Sequence, residues 1–322
     1  MQLPVLEIDN LRPRYPIIQG GMAVRVSTAP LAGAVARAGG IGVIGATGMA
    51  LAELEEEIRQ ARSLADGGII GVNIMFAAQQ FAELVHTSIN AGIDVVFTGA
   101  GFSREIFQWG KETGTPIVSI VSSAKAAVLA EKCGAPAVVA EGFEAGGHLG
   151  TDRSVKEIVP QIVKAVKIPV IAAGGMVNGQ DMADMIKMGA SGVQMATRFV
   201  LSEECTVSDQ FKQAYLQAQQ EDVVIIKSPV GLPGRAIRNA LVKRIELGQA
   251  PKPEECLHCL KKCSHEYCII KALINSTEGR TDDGVIFSGQ NVYKIKDILS
   301  VDEIFAKILN EYDQAQSIKK SE

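Results

Sequence analysis

A glycine-rich segment, residues 141–150, carries the side chains of this chain that are best suited to chemistry. It places two carboxylates, four glycines and His148 directly after a short apolar run, 137–140, that predicts a buried strand. Glycines let a backbone approach a flat ligand closely, and an imidazole can move a proton near neutral pH. Taken alone, such a segment is more typical of a structural turn around a hydrogen-bonded histidine, and only the surrounding elements favour a functional loop.

A second group of reactive side chains lies nearer the C-terminus. Four of the six cysteines fall within 13 residues, interleaved with two histidines; they are Cys256, Cys259, Cys263 and Cys268. Such a cluster indicates metal binding in a reducing compartment better than a disulfide framework, and it predicts a Zn site or a [4Fe-4S] cluster. If the segment is helical, the first three lie on one face, and buried reduced thiols are the alternative.

Composition limits the class of protein. The chain has 322 residues, of which 47% are hydrophobic, 5% are aromatic and 32 are glycine, a pattern that favours an α/β fold with a parallel sheet. A net charge of -4 gives no electrostatic footprint for nucleic acid or an anionic membrane. The N-terminus lacks a signal-peptide pattern, and apolar runs are too short for a membrane helix, so we expect a cytoplasmic protein.

The elements that would position these residues repeat along the chain. Eight short apolar runs, the first at 16–19 and the last at 192–195, alternate with helix-like segments. This repetition predicts a (β/α)8 TIM barrel over residues 1–207, with an open doubly wound sheet as the alternative. We expect residues 208–322 to form a small Cys-rich extension of helices and loops packed on the barrel rim, with a loose end at 314–322.

In a barrel, the residues that follow the strands converge on one mouth. Small or polar residues occupy many of these positions; the stretches are 19–22, 73–75, 98–101, 141–150, 172–175 and 194–198. Barrels often bind phosphate after strands seven and eight, where 174–175 and 196–197 offer bare amides. Residues that merely ease tight turns explain any one pair as well, but the whole set predicts a phosphorylated planar ligand.

The region after the barrel adds two predicted helices, 208–220 and 235–247. Arg198 and Arg235 are candidate ligands for an anionic substrate, although an arginine is more often solvated or ion-paired.

Six motifs resemble one known family in order and spacing. They are Tyr15-Pro16-Ile17-Ile18-Gln19-Gly20-Gly21-Met22-Ala23, Gly71-Val72-Asn73-Ile74-Met75, Thr98-Gly99-Ala100-Gly101, the 141–148 segment, Ile168-Pro169-Val170-Ile171-Ala172-Ala173-Gly174-Gly175 and Thr197-Arg198-Phe199. They look like the FMN-dependent group that contains nitronate monooxygenases (2-nitropropane dioxygenases) and the type II flavin enoyl-ACP reductases. The resemblance covers residues 11 to about 245 and is closer to the enoyl reductase branch. The cysteine cluster departs from the family pattern.

The resemblance implies that FMN lies across the barrel mouth, with His148 on the substrate side. Its phosphate would be held by Gly174, Gly175, Ala196 and Thr197, and its ring and ribityl chain would be surrounded by Gly21, Met22, Asn73, Glu141 and Gly146. The resemblance also makes Gly147, Ala173 and Gln194 candidate cofactor-binding residues. NAD(P)H would reduce FMN, which would then reduce the C=C bond of an enoyl thioester in a ping-pong cycle. His148, with an imidazole near its unperturbed pKa, would polarise the thioester carbonyl or supply the α-proton. The expected partners are a small-molecule or acyl-carrier-linked substrate and a second copy of the chain in a homodimer.

Two alternatives stay open. A nitronate monooxygenase would use the same residues to oxidise a nitroalkane or nitronate with dioxygen. A non-catalytic flavin protein would sense redox state through its cysteines and turn over neither substrate.

Overall fold

The chain folds around a closed barrel of eight parallel strands, seen in a computed structural model that describes residues 3–318. The strands are β1 (Ile17–Gln19), β2 (Ile41–Gly45), β3 (Ile69–Met75), β4 (Val95–Gly99), β5 (Ile117–Val121), β6 (Val138–Glu141), β8 (Val170–Ala173) and β9 (Gly192–Met195). β9 pairs with β1 in the register Ile18↔Gln194, which closes the ring. The predicted (β/α)8 barrel is therefore confirmed, and the open doubly wound sheet is wrong.

Two layers of apolar side chains explain why these short runs form strands. Alternate strand residues such as Ile18, Val43 and Phe97 fill the barrel interior, where Leu6 and Ile8 of the N-terminal segment join them. The remaining strand residues pack outward against the helices. Because both faces of the sheet are buried, every strand position favours a small or apolar residue.

Helices surround the barrel and follow most of its strands. They are α1 (Ala29–Arg37), α2 (Leu51–Leu64), α3 (Phe81–Asn90), α4 (Glu105–Thr113), α5 (Ala124–Lys132), α6 (Val155–Ala165), α7 (Gly179–Lys187), α8 (Thr197–Val200), α9 (Asp209–Gln217), α10 (Ala240–Glu246), α11 (Ile269–Thr277) and α12 (Val301–Ile318). Ser123, Ser154 and Asn178 begin α5, α6 and α7 with side-chain oxygens that accept a backbone N–H, as N-cap residues do. Among the helices of residues 3–318, none combines the length and the apolar run needed to span a bilayer.

The last helix, α12, belongs to the ring of helices. It packs against α7 and α1, where Phe305 and Ile308 join the main core and the Glu311 carboxylate accepts a hydrogen bond from the Gly179 amide at 2.8 Å. The expectation that all of 208–322 dresses the rim is wrong for this helix, since it fills the place between the first and last barrel helices. The end that we expected to be loose, 314–322, is helical as far as residue 318. Residues 319–322 lie outside the described part of the chain. The domain boundary at residue 207 stays a prediction.

A second, antiparallel sheet stands over the barrel mouth. Its strands, in the order β10-β11-β7, are β7 (Gly147–His148), β10 (Val223–Lys227) and β11 (Pro233–Ile237). The helix predicted over 235–247 is wrong in its first residues, because 233–237 pair with β10 and the helix begins only at Ala240. The β-branched run of β10 provides the partner that turns this segment into a strand.

The cysteine segment, 249–268, follows an irregular path beside this sheet. Leu260 forms an isolated bridge with Ala78 in the loop after β3, and the Gln79 amide donates to the Cys259 carbonyl at 3.0 Å. The helical alternative for the cysteines is therefore wrong for Cys256, Cys259 and Cys263; only Cys268 touches a helix, as the N-cap of α11.

Candidate active site

One cavity of about 250 Å³ opens at the carboxyl ends of the barrel strands. All thirteen residues predicted from the sequence line it: Gly21, Met22, Asn73, Glu141, Gly146, Gly147, His148, Ala173, Gly174, Gly175, Gln194, Ala196 and Thr197. The closed barrel explains this convergence, because it brings the ends of all strands to one rim. Their individual roles as ligands stay predictions.

A tight turn of two glycines, in which the backbone lies close to neighbouring groups, forms the part of the cavity that follows β8. Gly174 and Gly175 have φ values of 107° and 79°, in the left-handed region that favours glycine. A Cβ on Gly174 would lie 3.1 Å from the Gly142 carbonyl oxygen, and one on Gly175 would lie 2.8 Å from the Cβ of Glu144. Glycine is thus required here, and it leaves main-chain groups as the lining of the cavity.

Two side chains fix the glycine-rich loop that follows β6. Glu144 accepts hydrogen bonds from the Ser154 hydroxyl at 2.5 Å and the Val155 amide at 2.9 Å, which tie the loop to α6. Arg235 of β11 donates to the carbonyls of Ala145 at 3.0 Å and Phe143 at 2.5 Å, and its guanidinium lies 4.4 Å from the centroid of the Phe143 ring. The hydrogen bonds of the Arg235 guanidinium therefore hold this loop in place.

Arg198, the other candidate for an anionic substrate, is buried and ion-paired. Its guanidinium donates to the Asp297 carboxylate at 2.5 Å and to the Leu201 carbonyl at 2.7 Å. Because it contacts the outer helices and not the barrel mouth, it joins α8 to the segment before α12.

His148 is held in place by the second sheet. Its strand, β7, pairs with Gly234 of β11, its Nε2 shares a 2.7 Å hydrogen bond with the Ser228 hydroxyl, and its ring meets Phe287 edge-on at 5.1 Å. Burial lowers its pKa from 6.5 to about 4. The expectation of an imidazole near its unperturbed pKa is therefore wrong: at neutral pH His148 is uncharged, with one ring nitrogen as donor and the other as acceptor.

Glu141 contributes the second titratable group of the cavity. It is the last residue of β6, and burial raises its pKa from 4.5 to about 7. Glu141 thus changes its proton state near neutral pH, which His148 does not, and two groups with pKa values pushed apart are typical of an enzyme site.

The C-terminal region supplies cavity residues that sequence reasoning missed. They are Phe211, Tyr215, Val230, Leu260, Ile269, Ile270, Leu273, Ser276, Thr277, Val285, Phe287, Ser288, Gly289 and Asn291. A glycine-punctuated stretch at 284–290 is the one local signal that could have found some of them. Their distance along the chain hides their contact with the barrel. Asn291 donates to the Gly175 carbonyl at 2.6 Å and the Gly289 amide donates to the Thr197 hydroxyl at 2.9 Å, which dock this loop on both predicted phosphate segments.

The cavity fits a flavin mononucleotide. The hydroxyl of Ser288, which lines it, is buried without a hydrogen-bond partner within residues 3–318, and such a group indicates a polar ligand. The glycine turns offer backbone amides for a phosphate, and apolar side chains also line the cavity.

The four clustered cysteines lie outside the cavity lining. Within residues 3–318, no three His, Cys, Asp or Glu side chains stand in a group that could hold a metal ion, so the predicted metal site stays a prediction. Burial raises the pKa of the Cys259 thiol to about 11, and the nearby thiols of Cys268, Cys263 and Cys256 add to the rise.

Comparison with known proteins agrees with this geometry. The family model of nitronate monooxygenase matches residues 6–311. The chain is 34% identical over 251 residues to the (3aS,4S,5R,7aS)-5-hydroxy-7a-methyl-1-oxo-octahydro-1H-indene-4-carboxyl-CoA dehydrogenase of Mycobacterium tuberculosis, over 77% of this chain and 69% of the relative. It is 32% identical over 286 residues to a probable nitronate monooxygenase of Staphylococcus aureus, over 74% of this chain and 80% of the relative.

Among solved structures, FabK from Thermotoga maritima matches with a TM-score of 0.88 and 32% identity, over 96% of both chains. The match extends through the C-terminal region that completes the cavity. The chain therefore belongs to the nitronate monooxygenase family of flavin-dependent oxidoreductases.

Proposed function

We propose that this protein is an FMN-dependent NAD(P)H oxidoreductase that reduces the C=C bond of an enoyl thioester. The observation that carries the proposal is a neutral His148, fixed by Ser228, at a cavity whose other wall is apolar. One relative supports the thioester, since its name specifies a carboxyl-CoA substrate. We propose that the acyl group is carried either by CoA or by an acyl carrier protein.

FMN, when bound, supplies hydride transfer from NAD(P)H to the substrate in two half-reactions. The backbone at Gly174, Gly175 and Thr197 would hold its phosphate, since these turns offer amides at the barrel mouth. Asn73 and Glu141 line the inner part of the cavity, where they can hydrogen-bond the polar edge of the flavin.

His148 would act as a neutral hydrogen-bond donor to the thioester carbonyl. Its low pKa leaves almost no imidazolium at neutral pH, so His148 does not serve as a general acid. Neutral donors of this kind stabilise the negative charge that develops on a carbonyl oxygen. The Ser228 hydroxyl holds the ring in one orientation, and the proton that the α-carbon needs comes from Glu141 or from water.

The apolar wall favours an acyl substrate over a small nitroalkane. It is formed by Val24, Val230, Leu260, Ile269, Ile270 and Leu273, most of them contributed by the segment after the barrel. Each buried CH2 group of an acyl chain on such a wall gains about 0.8 kcal/mol. We therefore expect longer enoyl chains to bind more tightly until the wall is filled.

The test compares two reactions of the same preparation. We expect anaerobic NADH or NADPH to bleach the flavin, and an enoyl-CoA to restore its colour while the double bond is lost. Leu273→Phe should raise KM more for a medium-chain enoyl-CoA than for crotonyl-CoA, whereas Leu64→Phe, at an exposed site on α2, should change neither. Flavin reduction without loss of the enoyl double bond would contradict the proposal.

A nitronate monooxygenase is the second candidate, favoured by the match to the family of that name. It predicts oxygen uptake with a nitronate and no need for NAD(P)H. If neither an enoyl-CoA nor a nitronate is turned over by the flavin-loaded protein, a redox sensor becomes the better description.

A further inference from the structure

The cysteine segment forms the outer part of the apolar wall. Leu260 of this stretch and Ile269, the first residue of α11, line the cavity. Cys259, Cys263 and Cys268 are half-buried against the same apolar cluster. Few main-chain contacts hold the stretch: the bridge to Ala78, two hydrogen bonds to the loop after β3, and one from the Ser264 amide to the Pro229 carbonyl. A loop without helix or sheet that shapes a binding wall needs a further cross-link to keep its form.

Two turns of the segment have the same unusual geometry. In each, the amide of the residue two positions after a cysteine donates to its sulfur at 3.4 Å: His258 to Cys256, and His265 to Cys263. Both histidines adopt the left-handed conformation, with φ values of 47° and 57°. Such backbone strain persists only where the surroundings require it, and here the turn aims an N–H at sulfur.

The sulfur of Cys268 also accepts a hydrogen bond from a backbone amide. Cys268 caps α11, and its sulfur accepts from the Lys271 amide at 3.5 Å. A neutral thiol is a weak acceptor, but amide donors and a helix N-terminus stabilise a thiolate, and hydrogen bonds to ligating sulfurs are typical of metal sites. The imidazoles of His258 and His265 are exposed, so sulfur and not nitrogen is presented.

We propose that Cys256, Cys259, Cys263 and Cys268 bind one tetrathiolate metal centre, either Zn²⁺ or a [4Fe-4S] cluster, that holds the outer wall of the cavity. All four cysteines lie within one irregular stretch of 13 residues, and three of their sulfurs accept an amide hydrogen bond. Metal binding would draw the four sulfurs together into one group of ligands. Each thiol releases its proton to solvent as it ligates the metal, so binding is linked to pH. Both centres are held by four cysteine thiolates. They differ in what the thiolates hold, which is one Zn²⁺ ion in the first case and four Fe with four inorganic sulfides in the second.

The decisive measurement is the metal content of the intact protein, purified without oxygen and without an affinity tag that binds metal. We expect about one Zn per chain, or about four Fe with matching acid-labile sulfide and a broad visible absorbance that remains after the flavin is removed. If neither metal is present, reduced protein is titrated with ZnCl2 against a chromophoric chelator. An apparent Kd of about 10 nM or tighter supports the proposal, and weaker binding overturns it.

Variants separate the site from general damage. Cys263→Ser, and Cys256→Ser at an exposed position whose loss removes no core packing, should each lower metal content at least about tenfold. Cys133→Ser, at the end of α5, is the matched control and should keep it. We expect the metal-depleted variants to retain their flavin but to show a raised KM for the enoyl-CoA. Retention of full metal content by both cluster variants would overturn the assignment.

Discussion

Replacing Glu141 by glutamine should change how the stability of the flavin-free protein depends on pH. Burial raises the pKa of this carboxyl from 4.5 to about 7. Below pH 4.5 both the native and the unfolded chain hold the proton, and the contribution of the neutral group to stability is complete. As the pH rises to about 7, only the unfolded chain loses the proton, so the free energy of unfolding falls by about 1.4 kcal/mol per pH unit, about 3 kcal/mol in all.

His148 has the opposite sign and provides the matched control. Burial lowers its pKa from 6.5 to about 4, so between these values only the unfolded chain binds a proton. Its contribution is complete above pH 6.5 and is lost as the pH falls, again by about 3 kcal/mol. In the wild-type protein the two slopes oppose each other between pH 4.5 and 6.5, and they nearly cancel.

The assay is urea unfolding of wild-type, Glu141→Gln and His148→Gln protein at several pH values between 4.5 and 7. Relative to the wild type, Glu141→Gln should gain stability as the pH rises, because it lacks the loss of stability that the Glu141 carboxyl causes in the wild type. His148→Gln should lose stability over the same range. Differences from the wild type that do not vary with pH, to within about 0.5 kcal/mol, would refute the reasoning, since they would show that neither group is desolvated as the structure places it.

Three further substitutions test how the site is held. Ser228→Ala frees the His148 ring and should lower kcat about fivefold to tenfold with flavin content unchanged, measured by steady-state kinetics; an equal loss of flavin would point to a structural role. Arg235→Met removes two hydrogen bonds to the 143–145 loop and should lower the free energy of unfolding by about 2 kcal/mol in urea, whereas Arg59→Met on exposed α2 should change it little. Gly175→Ala forces a Cβ against Glu144 at positive φ and should weaken FMN binding about tenfold in a fluorescence titration, whereas Gly114→Ala, at positive φ but in open space, should leave it unchanged.

The candidate site could be predicted from the sequence because its residues follow strands. Apolar runs such as 117–121 identify the strands by local pattern, and the closed barrel then brings the small residues beyond them to one rim. Gly174 and Gly175 illustrate the link, because a tight turn that only glycine tolerates is visible in sequence and lines the cavity in the fold. Periodicity and turn chemistry are local properties, so a single sequence contains them.

The tertiary structure alone decided the rest. The pKa values of His148 and Glu141 depend on desolvation by distant segments, and Arg235 entered a strand because β10 and β7 flank it. α12 became part of the helix ring although more than 100 residues separate it from the last barrel strand. These outcomes arise from contacts between residues far apart along the chain, whose energies no local pattern records. The sequence by itself thus determined the barrel and the identity of the residues at its mouth, whereas the packing of the C-terminal region determined their protonation, their orientation and the wall that a substrate meets.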